Sequence, residues 1–155
     1  MIGRKITLKK PMTFAHDSHY PSGMVDGAQI PQYFMEIRHE LMTRAAGCQG
    51  RLRGFKSIDF THPVWVGDVV EYEGWIESRE ENLYELCFEA RIVQTCTDDF
   101  RIRYKYGTVK PETAKLKGYE GPMLCEPPVV CGSAVAVIEV LPGEARGAQD
   151  PEFEG

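Results

Sequence analysis

Long apolar runs are missing from this chain. No stretch approaches the roughly 20 apolar residues that a membrane-spanning helix needs, so no span is predicted. The first residues, Met1 to Lys10, are basic but have no apolar core and no cleavage site, which speaks against a secretory leader. Positive charge is not in excess either. The net charge of −5 argues against a nucleic-acid partner. Cysteine is sparse and odd in number. Cys48, Cys87, Cys96, Cys125 and Cys131 fit no zinc spacing, and Cys125 and Cys131 stand too far apart for a thioredoxin-like pair. Reduced, mostly buried thiols in a cytoplasmic protein are the expectation. There is no HExxH pair, nucleophile elbow, phosphate-binding loop or dinucleotide fingerprint. A catalytic metal is therefore not expected, and internal repeats are absent.

What remains is ordinary globular chain, with 155 residues, 43% hydrophobic and 26% charged, enough for one domain with its own core. The helix signal begins near Asp26, which can cap a helix, with Gln29 at the capping-box spacing. Ile30, Phe34, Ile37 and Leu41 recur with the period of one buried stripe. Pro31 fits only in a first turn, so the helix either starts later or bends there. Gly47 is a C-terminal stop.

Beyond Gly54 the period becomes strand-like. Strands are predicted from Gly54 to Phe60, from Val64 to Ile76 with a turn or bulge at Gly67 and Asp68, and from Tyr84 to Ile92. Glu80 to Asn82 reads as the hairpin turn between the last two. Val129 to Leu141 is almost continuously apolar and reads as a strand covered on both faces. Arg101 to Tyr106 is a candidate extension, and Lys110 to Pro122 a loop excursion. The segment after Pro142 has no periodicity and is expected to be mobile or pinned by a partner chain. The division is one domain over 1–141 and a C-terminal tail over 142–155. One long helix and four or five antiparallel strands make an α+β pattern. A single helix cannot cover both faces of such a sheet, and long edge strands need burial.

Two groups of residues can carry chemistry. Glu36 and Glu40 are one turn apart, and Glu40 borders the apolar stripe. They read either as a base with a second carboxylate beside it, or as a solvated face paired with Arg38 and Arg44. Asp17, His19 and Tyr20 read either as loop formers before Pro21 and Gly23, or as the border of a pocket over the helix N-terminus. Asp26 stands at that terminus. Backbone N–H groups of Gly27 and Ala28 are suited to stabilising a developing oxyanion.

The segments Asp17 to Tyr20, Val25 to Ala28, Glu40–Leu41, Asp59–Phe60, Pro63–Val64, Val66 to Asp68, Gly74 to Ile76, Phe88 to Ala90 and Cys125 to Gly132 run in order over most of the chain. In this it resembles the β-aminoacyl-CoA ammonia-lyases of the hotdog fold, where a long helix is wrapped by an antiparallel sheet. It departs from them at Glu36, where they carry Asp, and at Met35, Arg38 and His39, where they carry small residues. Thr97 to Pro122 is also longer here.

The resemblance implies reversible loss of ammonia from β-alanyl-CoA or 3-aminobutyryl-CoA to give the enoyl-CoA. It implies no cofactor, CoA being part of the substrate, and a homodimer or trimer of dimers. Glu40 is then the catalytic base, and Glu36 or Asp17 holds the ammonium group. His19, Tyr20, Asp26, Gly27 and Ala28 line the substrate site. The alternatives on the same scaffold are an acyl-CoA thioesterase, an enoyl-CoA hydratase and a non-catalytic acyl-CoA-binding protein.

Overall fold

A computed structural model describes residues 1–18, 23–95 and 123–155. Strand β1 (Ile2–Pro11) precedes a single helical turn, α1 (Phe14–Asp17), and the long helix α2 (Gln29–Ala46). Strands β2 (Arg51–Phe60), β3 (Val69–Glu80), β4 (Leu83–Thr95) and β5 (Met123–Glu139) follow, and a 3₁₀ turn, Pro151–Phe153, ends the chain. The strands form one sheet in the order β1-β3-β4-β5-β2, every pair antiparallel. With α2 laid across one face, this is the hotdog arrangement.

The helix follows its predicted stripe. Ile30, Phe34, Ile37 and Leu41 are buried, joined by Tyr33, Met42, Ala45 and Ala46. Phe34 stacks on Phe88 of β4 with ring centroids 5.1 Å apart and meets Tyr72 of β3 edge-on at 5.9 Å. The helix starts at Gln29, not Asp26. Pro31 therefore sits in the first turn, where its missing N–H would have had no helical partner. Gly47 stops the helix in the left-handed region at φ 68°, its N–H bonded to the Thr43 carbonyl, as a C′ glycine does.

One strand was not predicted, and three expectations need correction. The basic N-terminus is a strand, paired with β3 at one edge of the sheet. The third strand begins at Val69 rather than Val64, because Asp68 closes a turn there. Its carboxylate, 1% exposed, accepts from Trp65 N–H at 3.0 Å and Thr95 Oγ1 at 2.6 Å. The last strand is not covered on both faces. Ala134, Ala136 and Ile138 are buried under α2, while Ser133, Val135 and Val137 face outward and are half-buried. Small and β-branched residues on both faces hid the alternation.

Finally, residues 142–155 are pinned by their own chain. Arg146 N–H bonds the Ala46 carbonyl at 2.9 Å and Gln149 N–H the Arg44 carbonyl at 2.8 Å, satisfying orphan carbonyls at the end of α2. Phe153 is buried against β1, where Gly3 leaves no room for a Cβ. The regions Arg101–Tyr106 and Lys110–Pro122 lie outside the described residues.

Strand β2 is an edge strand, and most of its residues are exposed. Leu52, Ile58 and Phe60 stand on it in water, Phe60 at 53% exposure, with Leu124 and Val130 on neighbouring β5. A long apolar edge of this kind is unstable to pairing with another chain.

Candidate active site

The approach to α2 is built by short backbone pairings. Val25 N–H donates to the Val64 carbonyl and Val66 N–H to Gly23, each at 2.8 Å, and Asp26 N–H donates to Asp17. These bonds set Gly27 beside the segment 62–65. Between them lies a cleft of about 240 Å³, lined by Met24, Gly27, Phe60, His62 and Val64 among others. The Gly27 N–H has no partner among the described residues. A Cβ on Gly27 would stand 3.8 Å from the Phe60 ring, an ordinary van der Waals contact, so the amide lies beside that ring at the mouth of the cleft. The Ala28 N–H is not open. It is bonded to Asp26 Oδ1 at 3.1 Å, a local turn that consumes the expected second donor.

His62 also lines this cleft, a residue that no sequence motif singles out. Its Nδ1 is 2.7 Å from the Pro63 carbonyl. Donation from Nδ1–H to that oxygen leaves Nε2 as an acceptor. The signal for it in the sequence is its place just after strand β2 and before Pro63–Val64.

Asp17 faces inward, 1% exposed. Its Oδ2 accepts the Thr13 N–H at 2.7 Å, and its Oδ1 accepts the Tyr33 hydroxyl at 2.5 Å and the Gln29 amide at 3.5 Å. The carboxylate thus ties α1 to the first turn of α2 and fixes the Tyr33 ring, which packs 4.9 Å from Tyr72. Burial, then the hydrogen bond to Asp17, raises the Tyr33 hydroxyl to about 12. Its folded-state value lies above its ordinary one. The stability it contributes is therefore complete below pH 10 and is lost as pH rises through about 12. Tyr33→Phe is expected to cost roughly 1–3 kcal/mol at pH 8, the scale of a lost hydrogen bond to a buried charge. The difference from the parent should shrink at pH 11–12, as urea unfolding at both pH values will test.

Glu36 and Glu40 do share one face of α2, with His39, Thr43 and Arg44 around an open depression. Their exposures are 51% and 46%. Glu40 Oε1 accepts Arg44 Nη2 at 2.8 Å and Nε at 3.2 Å, while Oε2 has no partner among the described residues. Arg44 also binds Asp150 of the tail at 2.7 Å, so it is a fixed cation rather than a wandering one. Glu36 Oε1 lies 3.4 Å from Lys10 Nζ.

Arg38 pairs with neither carboxylate. Its Nη2 donates to the Gln49 and Gly50 carbonyls, both at 3.1 Å, and holds the loop into β2. The bulk at position 38 therefore does not crowd the Glu36–Glu40 face.

Glu36 lies nine residues beyond Gly27. At about 1.5 Å per residue that separates the two by roughly 13 Å along the helix, and Glu40 by roughly 20 Å. A single thioester cannot touch both ends within one chain. His19 and Tyr20 lie outside the described residues. Among those described, no group of His, Cys, Asp or Glu is arranged to hold a metal ion. Cys131 is buried and donates to the Ala90 carbonyl. Burial, then the charge of Asp68, pushes its thiol up to about 12, which rules it out as a nucleophile at neutral pH.

No family model matches the chain. It is 38% identical over 89 residues to the 3-aminobutyryl-CoA ammonia lyase of Acetoanaerobium sticklandii, covering 57% of this chain and 70% of that one. The solved β-alanyl-CoA:ammonia lyase of Clostridium propionicum superposes with a TM-score of 0.83 at 32% identity, over 99% of this chain and 96% of that one. An acyl-CoA hydrolase from Staphylococcus aureus shares the fold alone, with a TM-score of 0.62 and 14% identity over 92% of this chain and 69% of the hydrolase. With 38% identity over 70% of one lyase and 32% identity over nearly the whole shared fold of another, the chain belongs to the β-aminoacyl-CoA ammonia-lyase family of hotdog proteins.

Proposed function

We propose that this protein is a carbon–nitrogen lyase that reversibly removes ammonia from a short β-aminoacyl-CoA, 3-aminobutyryl-CoA or β-alanyl-CoA, to give the enoyl-CoA. Its kinship with two lyases of that chemistry supports the reaction. The observation that carries the mechanism is the pair of carboxylates one turn apart, one oriented by an arginine and the other already facing an ammonium group.

The thioester acidifies the hydrogen on Cα. Glu40 takes that proton on Oε2, while Arg44 holds Oε1 and fixes the carboxylate. The electrons of the C–H bond enter the thioester as an enolate, whose oxygen faces the Gly27 N–H. They then form the Cα–Cβ double bond as the Cβ–N bond breaks. The protonated amine leaves as neutral ammonia, so no general acid is needed, and Glu40 returns its proton to give ammonium. Glu36 holds the amine in place. Asp17 acts from behind through Tyr33. Asp26 fixes the Gly27–Ala28 turn, and His19, Tyr20 and Ala28 border the substrate. No cofactor takes part in this sequence of proton and electron transfers.

We place the acyl-CoA site between two protomers. The roughly 13–20 Å between Gly27 and the helix carboxylates of one chain leaves room for a second copy to supply the missing half. The bare apolar edge at Leu52, Ile58 and Phe60 supplies a reason for the copies to pair. The unit is a homodimer, and three dimers are the fuller assembly. Light scattering at micromolar concentration should give a mass at least twice that of the chain, and a monomer would contradict the shared site.

The compartment is the cytoplasm, in keeping with free thiols at Cys48, Cys87 and Cys131. No helix among the described residues is long and apolar enough to cross a membrane.

The test is the ultraviolet absorbance of the enoyl thioester after mixing with either aminoacyl-CoA, alongside assays of free thiol and of ammonium. Enoyl product with ammonium is the expected result. Thiol release without it would instead make the protein a thioesterase. Consumption of enoyl-CoA by water, with no ammonium involved, would make it a hydratase. Tight binding with no turnover would make it a binding protein.

A further inference from the structure

Lys10, on β1, reaches across to α2. Its Nζ is 3.4 Å from Glu36 Oε1 and 5.1 Å from the centre of the Tyr33 ring. Tyr33 and Glu36 are three residues apart and share one side of the helix. An exposed Lys–Glu pair alone is unremarkable and weak. Here the third member changes the meaning. The Tyr33 ring is held by the buried hydroxyl bond to Asp17 and by packing on Tyr72, so its face is fixed before any cation arrives. A carboxylate beside a fixed aromatic face is a site for an alkylammonium ion, combining charge with a cation–π contact. The group that fills it is itself a primary ammonium.

We infer that Glu36 and the Tyr33 ring are the ammonium subsite of the lyase, and that Lys10 is a displaceable plug whose own ammonium occupies it in the empty enzyme. The inference rests on the proposed reaction. Substrate amine and Lys10 compete for the same carboxylate and the same ring. The enoyl-CoA, whose acyl group is uncharged, has nothing to gain from displacing Lys10, so the plug acts only on the amine-bearing ligand. Lys10 is thus a specificity-determining residue, weakening the amine side of a reversible reaction without touching the chemical step. The weakness of an exposed pair is what allows its exchange.

Lys10→Met keeps the length of the side chain and removes its charge. Lys9→Met removes the same charge from the other face of β1, where Lys9 lies 4.0 Å from Glu71, and so controls for net charge. Calorimetry of 3-aminobutyryl-CoA and of its enoyl-CoA, with parent and variants, reads the inference whether or not turnover is seen. Lys10→Met should tighten the aminoacyl-CoA about 2–5-fold, the scale of losing a competing exposed ion pair, and leave the enoyl-CoA unchanged. Where turnover is present, KM for ammonium in the addition direction should fall by the same factor with kcat held. Lys10→Arg should stay near the parent.

Equal effects of Lys9→Met and Lys10→Met, or equal tightening of both esters, would overturn the plug. So would an unchanged aminoacyl-CoA affinity in a folded Lys10→Met protein. Loss of the lyase reading shows separately, as an absence of ammonia-dependent turnover in the parent.

Discussion

Glu40→Gln should lower turnover by on the order of 100-fold or more, the scale of general-base loss, with little change in acyl-CoA affinity. The amide keeps the size of the carboxylate. Its carbonyl oxygen can still accept from Arg44, so the helix face and its link to Asp150 persist. What disappears is an oxygen able to take a proton from carbon. The paired variant Glu36→Gln has a different signature. It should raise KM for the aminoacyl-CoA while sparing the enoyl-CoA, because only the former carries positive charge. Steady-state kinetics in both directions separates the two. Near-native turnover in a folded, oligomeric Glu40→Gln protein would remove Glu40 as the base and give Glu36 that role.

Gly74→Val should be the most damaging substitution to stability outside the site. Gly74 lies in β3 directly beneath α2. A Cβ there would stand 2.7 Å from Ile37 Cγ2 and 2.8 Å from Phe88 Cδ1, both in the buried core. A side chain at a former glycine gains up to about 1 kcal/mol by restricting the unfolded chain. Overpacking a filled core costs about 1–3 kcal/mol for small insertions and more for a branched one. The clash wins, since α2 cannot lift from Gly74 without opening the Phe34–Phe88 stack. A fall in melting temperature of roughly 5–10 °C is expected for a domain of this size. Calorimetry at fixed protein concentration checks it, and a gain or no change would mean the helix has slack that the packing does not show.

Much of this molecule is legible in short windows of its sequence. The stripe of Ile30, Phe34, Ile37 and Leu41 repeats with the helical period, and each of these residues is buried. The alternation through Tyr84, Leu86 and Phe88 repeats with the strand period and places those residues in the core. Gly47 ends the helix because only a residue free to take positive φ closes that turn easily. Glu36 and Glu40 fall on one face because one helical turn separates them. Local stereochemistry alone decides such features, so a run of neighbours is enough to read them. The family resemblance, which spans most of the chain, was legible in the same way.

Other features depend on parts of the chain that are distant in sequence, and only folding decides them. The basic first ten residues carry no clear strand signal, and β1 exists because β3 offers an open edge. Asp17 is buried because Tyr33 and Thr13 satisfy it, which no spacing of polar residues near Pro21 announces. Ala28 loses its free amide to Asp26, a turn geometry that the residue names alone leave open. Lys10 meets Glu36 across 26 positions and Arg44 meets Asp150 across 106. The pattern of side chains along a helix or strand repeats with the backbone and so is written locally. Which charge finds which, and which carbonyls the tail will cap, follows from the closure of the whole sheet around the helix.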